Sequence, residues 1–203
     1  MWKRWFRRRY TPFRYITVVS GLPRSGTSMM MQMLAAGGMD VVVDNIRQAD
    51  EDNPKGYYEL ENVKKLKDDP SFLDDALGKA CKIISMLLYD LPQDKPYKII
   101  FMRRNLKELL ASQKIMLQRR EKDVREDDNT EMERIFTKHL NDITAWLDSQ
   151  DNIDIVYVNY REVMDNPFSC AQAVNQFLDH RLNVQDMIHV VDHALYRTRD
   201  SHT

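Results

Sequence analysis

The chain has 203 residues, with 30 Lys and Arg against 31 Asp and Glu, a formal net charge of -1 and 43% apolar residues. Those values suit one globular domain with a real core. They speak against a general nucleic-acid binder, which carries a basic surplus, and no apolar run approaches the ~20 residues needed to span a bilayer.

Residues 1–14 form a basic aromatic arm, in which Lys3, Arg4, Arg7, Arg8, Arg9 and Arg14 alternate with Trp2, Trp5, Phe6, Tyr10 and Phe13. The arm lacks the apolar stretch and small-residue cleavage site of a secretory signal. Two readings stay open: contact with an anionic membrane surface through interfacial tryptophans, or a frayed basic arm whose aromatics pack back on the domain. The location expected is cytoplasmic, with peripheral membrane contact as an option. Residues 15–203 read as one domain.

Within it, apolar β-branched runs alternate with helical patterns, which predicts βαβ units and a parallel sheet. The expected strands are 15–20, 40–43, 80–85, 97–102 and 153–158. The expected fold is a P-loop-like three-layer α/β/α arrangement around a parallel sheet of about five strands. After the first strand, GLPRSGTS leads into a helix ending at Gly37-Gly38. Its methionines (Met29, Met30, Met31, Met33) read as adaptable core packing. Residues 50–61, with Pro54 and Gly56, read as a loop entering a helix. Cys81 lies in KACKIISMLL, where a reduced, buried thiol is expected, and two cysteines cannot build a disulfide framework. Long amphipathic helices are expected over 105–122 and 130–149, with a charged run between and across them that reads as a solvated surface first and a mobile flap second. A helix starting near Pro167 and another over 184–196 complete the chain.

The glycines of GLPRSGTS, Gly21 and Gly26, have the spacing of a phosphate-binding loop, but Thr27 stands where such loops carry lysine and Arg24 lies inside instead. A glycine-rich turn between strand and helix aims backbone N–H groups at one point, where the helix dipole is also positive. Ser25, Thr27 and Ser28 add hydroxyl donors. Nucleotide hydrolysis gathers about four negative charges and is met with lysine plus Mg²⁺. A sulfuryl group on a phosphosulfate brings less charge, and a single cation at the bridging oxygen suits it. The strand at 97–102 ends in Arg103 and Arg104, with no aspartate placed for magnesium.

GLPRSGTSMMMQML resembles the 5′-phosphosulfate loop of sulfotransferases that use 3′-phosphoadenosine 5′-phosphosulfate (PAPS), in the branch with arginine in the loop, as in tyrosylprotein sulfotransferases and bacterial enzymes. The resemblance implies that Arg24, Ser25, Gly26, Thr27 and Ser28 bind the phosphosulfate, with Arg24 also catalytic. FMRRNLKELLASQ supplies Arg104 and Ser112 at the family's spacing for the 3′-phosphate. An arginine fork and a serine hydroxyl from the following helix are physically suited to that group. YVNYREVMDNP is similar to the segment whose tyrosine lies near adenine; Tyr160 takes that place or is a packed strand-end tyrosine. PAPS would be the cosubstrate, with no metal, and a hydroxyl or amine the acceptor, whether small molecule, glycan, lipid or peptide. A Mg-dependent kinase-like enzyme and a non-catalytic nucleotide-binding protein are the alternatives.

The general base is where the resemblance thins. Transfer needs a group within hydrogen-bond reach of the acceptor. Cytosolic sulfotransferases have a histidine after the strand matching 80–85, and none stands there; His139, His180, His189, His193 and His202 read as surface or packing residues. The arginine-loop branch uses a glutamate whose place falls at Asn45 or Asp44. Asp44 is the first choice, with Asp50, Glu51 and Glu59 open. Arg47 could position an anionic acceptor or partner a carboxylate. Lys79 and Lys82 flank a strand and could point toward the cofactor phosphates, but read first as snorkelling surface cations. Arg197 or Arg199 could substitute for the family's further 3′-phosphate segment, which is not evident here.

Overall fold

The computed structural model describes residues 14–44, 46, 50, 56–119 and 128–195. The arm to residue 13, Arg47, Glu51, Arg197, Arg199 and His202 lie outside the described residues, as does the middle of the charged run, 120–127. Four strands form one wholly parallel sheet: β1 (Ile16–Gly21), β2 (Ala80–Lys82), β3 (Tyr97–Arg103) and β4 (Ile153–Asn159), in the order β2-β1-β3-β4. The helices are α1 (Thr27–Ala36), α2 (Leu106–Arg119), α3 (Asp128–Asp148), α4 (Tyr160–Asp165), α5 (Pro167–Phe177) and α6 (Val184–His189).

A buried parallel sheet needs apolar side chains on both faces, and the period-two alternation of the strands supplies them. Val19, Ile100, Met102 and Val158 face one layer, made of α1, α5 and α6, where Met30, Met31 and Met33 are fully buried. Ile16, Val18, Ile99 and Phe101 face the other, against Ile143 and Leu147 of α3 and the 3₁₀ turns at Ser71–Leu73 and Ser85–Asp90. The α/β/α layering and the methionine packing are as expected. Cys81 is a free, fully buried thiol, pushed up to about 12 by the loss of water around it.

Among the described residues the sheet has four strands, where about five were expected. Residues 40–43 contribute a single bridge, Val41 to Ala80, with Ala80 N–H donating to the Asp40 carbonyl and Val42 N–H to the Ala80 carbonyl. The strand expected over 80–85 stops at Lys82; Ile83 N–H makes one last bond to the Val19 carbonyl before the chain turns into 3₁₀ geometry at Ser85. The helix expected after 50–61 is a 3₁₀ turn, Glu61–Lys65. Asn166 caps α5 by accepting from Ser169 N–H, and Pro167 begins it, where a missing N–H costs nothing. No helix among the described residues is long and apolar enough to cross a membrane.

Candidate functional site

Open parallel sheets gather ligands at the carboxyl ends of their strands, beside the point where strand order reverses. Here that point lies between β1 and β3. A Cβ on Gly21 (φ 145°) would stand 2.6 Å from the Met102 carbonyl oxygen and 2.6 Å from Ser25 Oγ, so only glycine lets the loop leave β1 this close to β3. Gly26 (φ 100°) begins α1, and a Cβ there would lie 2.5 Å from Tyr160 Cδ2. Arg24 is also left-handed, at φ 71°, a conformation that costs a non-glycine residue about 1 kcal/mol or more and recurs where backbone is held for function.

The loop suits an anion on three counts. The N-terminus of α1 has no side-chain cap and no acidic residue in its first turn, so its dipole is uncompensated there. Ser25 Oγ is buried and finds no hydrogen-bond partner among the described residues, an arrangement a bound oxyanion would correct. Arg24 places a cation within the loop and donates from Nε to Ser112 Oγ at 3.1 Å.

Arg104 follows β3 and is almost fully buried. It donates from Nη1 to the Arg24 carbonyl at 3.1 Å and from Nε to Glu108 Oε2 at 3.3 Å, and its guanidinium lies 4.4 Å from the centre of the Tyr160 ring. Glu108 lies one helical turn along and faces the same way. Tyr160, at the end of β4, is thus pressed between Gly26 and Arg104, and it packs at the strand end. The structure therefore brings Arg24, Ser25, Gly26, Arg104, Ser112 and Tyr160 into one connected group. Thr27 is the first residue of α1, half-exposed beside it.

The opposite side of the loop is built by β2 and residues 56–60. Lys82, expected at the surface, is buried, with 8% of its surface exposed. It donates to the Tyr57 carbonyl, lies 3.4 Å from Ser28 Oγ and pairs with Glu59 Oε1 at 3.2 Å. Ser28 Oγ donates to that same Tyr57 carbonyl at 3.1 Å. A lone cation on a strand's inner face can be buried only where oxygens receive it, and a lysine flanked by apolar residues in ACKII was the available clue. Lys79 is half-exposed at the other end of β2.

The carboxylates expected nearby separate in character. Asp44 accepts from Ile46 N–H at 2.9 Å and from Glu61 N–H at 2.5 Å, and these amides hold its carboxyl below the usual carboxylate range. Asp50 receives the Tyr57 hydroxyl at 2.6 Å. Glu59 pairs with Lys82, a cation at the phosphate loop. His139, distant in sequence, lies 2.9 Å through Nε2 from the buried Ser85 Oγ just beyond β2, and burial lowers its pKa. His180, His189 and His193 are exposed.

A family model described as a sulfotransferase domain matches residues 16–199. Three solved structures share the fold. The sulfotransferase domain from the curacin biosynthetic pathway has 12% identity and a TM-score of 0.54, over 90% of this chain and 79% of that one. A sulfotransferase from Alicyclobacillus acidocaldarius has 13% identity and a TM-score of 0.52, over 90% and 88%. The sulfotransferase domain of the Synechococcus PCC 7002 olefin synthase has 12% identity and a TM-score of 0.54, over 96% and 83%. No curated protein matches the chain.

Proposed function

Because the chain belongs to the sulfotransferase domain family and is therefore a sulfuryl transferase, we propose that its donor is PAPS and its acceptor a hydroxyl or amine. The observation that carries this reading is that all four strands end in one cradle: the glycine loop after β1, Lys82 closing β2, Arg104 after β3 and Tyr160 after β4. The Mg-dependent kinase reading is not favoured, since the family match is to sulfotransferases and the loop carries Thr27 where kinases of this architecture use lysine.

PAPS, when bound, supplies the sulfuryl group on a phosphate leaving group. In this reading Arg24, Ser25, Thr27, Ser28 and the first amides of α1 hold the phosphosulfate end. Arg104 and Ser112 hold the 3′-phosphate, and Tyr160 borders the base. Arg24 and Lys82 approach the loop from opposite sides, so both stand ready to stabilise charge that builds on the departing phosphate. A carboxylate of the 44–59 segment receives the acceptor's proton, and the roles assigned call for no metal.

The test is calorimetric titration with 3′-phosphoadenosine 5′-phosphate, against ATP with and without Mg²⁺, on the wild-type chain and on Arg104→Ala. Metal-free binding weakened ~100-fold in the variant, the scale of losing a charge-assisted fork onto a phosphate, supports the reading. Preference for Mg-ATP, or indifference to Arg104, overturns it.

A further inference from the structure

We propose that Glu59 is the general base and that Lys82 keeps it occupied until the nucleotide arrives. This rests on the donor assignment above and adds to it the identity of the base and the order of events. Lys82 Nζ stands between two groups of different purpose, Ser28 Oγ at 3.4 Å on the first turn of α1 and Glu59 Oε1 at 3.2 Å on the neighbouring segment. One ammonium thus ties the anion loop to a carboxylate.

The backbone is bent to make that junction. Tyr58 has φ 53° and Gly56 φ 89°, and a bulky residue in the left-handed region is a true outlier. Its effect is to deliver the Tyr57 carbonyl and the Glu59 side chain, two residues apart, to the same lysine. The Glu59 carbonyl in turn accepts from Asp44 N–H at 3.3 Å, which ties the segment to the end of the 40–43 stretch. The Glu59 side chain is 40% exposed while that of Lys82 is 7% exposed. The carboxylate therefore opens to an incoming acceptor and the ammonium faces the loop.

A phosphosulfate in the loop presents more negative charge than one carboxylate and lies on the Ser28 side of Lys82. The ammonium then turns toward phosphate oxygen and gives up its bond to Glu59 Oε1. Glu59 takes the proton that the acceptor oxygen or nitrogen loses as that atom bonds to sulfur. The electron pair of the broken sulfur–oxygen bond leaves on the phosphate, which Lys82 and Arg24 now face. Asp44 is poorly suited to the same task, because both of its oxygens already receive backbone N–H groups.

The experiment pairs binding with turnover. 3′-Phosphoadenosine 5′-phosphate is titrated into wild type, Glu59→Gln, Glu59→Asp and Lys82→Met. Transfer of radiolabelled sulfuryl from PAPS is followed to a phenol, a primary alcohol, a primary amine and water, with thermal melting confirming that each variant is folded. Glu59→Gln should bind the nucleotide ~3-fold or more tightly than wild type, since a competitor for Lys82 is gone, and transfer should fall ~100-fold, the usual scale for a lost base. Glu59→Asp should recover part of the transfer. Lys82→Met should weaken binding ~10-fold or more. If Glu59→Gln weakens binding as Lys82→Met does, the pair is a scaffold and the gating is wrong. Unchanged transfer in Glu59→Gln, or no transfer at all from a wild-type chain that binds nucleotide, overturns the base. A wild-type chain that fails to bind the nucleotide brings down the donor assignment as well.

Discussion

The two walls of the cleft around the glycine loop are built in opposite ways. On the β3–β4 side, Arg104, Glu108, Ser112 and Tyr160 are all nearly dry, and each touches another or the loop. On the β2 side, a buried Lys82 meets a half-exposed Glu59 on a segment with two left-handed residues. A fork of donors that is already dry and already braced loses little on receiving a phosphate, so the first wall suits holding. A carboxylate that must first be charged and then protonated needs water and room, so the second suits chemistry. Binding and turnover should therefore be separable by substitution, and each prediction below presses on one wall.

The largest effect should come from Arg24, in the loop between them. Its Nε bond to Ser112 and its carbonyl bond from Arg104 fix it within the loop. Arg24→Met should lower transfer from PAPS by ~10²–10³-fold, the scale of one preorganised donor at a developing charge, while nucleotide affinity falls less. A matched loss in both would assign Arg24 to holding alone and blur the contrast between the walls. Next is Gly26→Ala. The added methyl would meet Tyr160 Cδ2 at 2.5 Å in a backbone conformation that alanine resists. A loss of about 2–4 kcal/mol in urea unfolding is expected, with nucleotide affinity falling alongside because Tyr160 braces Arg104. The pair Tyr160→Phe and Tyr160→Ala sharpens the first wall further. Phe keeps the ring against Gly26 and Arg104 and should change nucleotide affinity less than ~3-fold, whereas Ala should cost ~10-fold or more through the lost packing and cation–π contact. Loss of affinity in Phe would instead give the hydroxyl a direct part in binding.

How much of each wall could be read from sequence follows the same division. The β1–loop–α1 unit is local: glycine spacing, an apolar strand before and a helix after are visible in one window of the chain. Arg104 and Ser112 lie on one strand end and the helix that follows; their spacing means little alone, and it was the loop and its family resemblance that predicted a shared site. Lys82 was misjudged because what buries it is the Tyr57 carbonyl, 25 residues away, and only the folded segment 56–60 supplies it. His139 meets Ser85 across 54 residues, and no spacing rule reaches that far. The fifth strand failed for a related reason. DVVV has the composition of a strand, but it forms a single bridge, Val41 to Ala80, because β2 itself is three residues long. The run ACKIISMLL is apolar throughout, and periodicity cannot say where a short buried strand yields to a 3₁₀ turn.

The smallest effect should come from Asp44, and it tests the second wall most directly. Its carboxylate receives Ile46 N–H and Glu61 N–H, which hold the folded pKa below the unfolded value of about 3.9. The stabilisation from those bonds is therefore complete above that value and fades as pH falls through the folded pKa. Asp44→Asn keeps one acceptor and turns an amide toward the other N–H. For so exposed a turn, where solvent screens the charge, the cost should be about 0.5 kcal/mol near neutral pH. The difference from wild type in urea unfolding should shrink as the pH is lowered through the folded pKa and the wild-type carboxyl becomes neutral as well. Transfer from PAPS should change less than ~2-fold, since a carboxylate already satisfied by two amides is a weak proton acceptor. A loss of ~100-fold in Asp44→Asn with the melting curve unchanged would move the base from Glu59 to Asp44. The Lys82 pair would then be a brace, and the second wall would differ from the first in exposure alone.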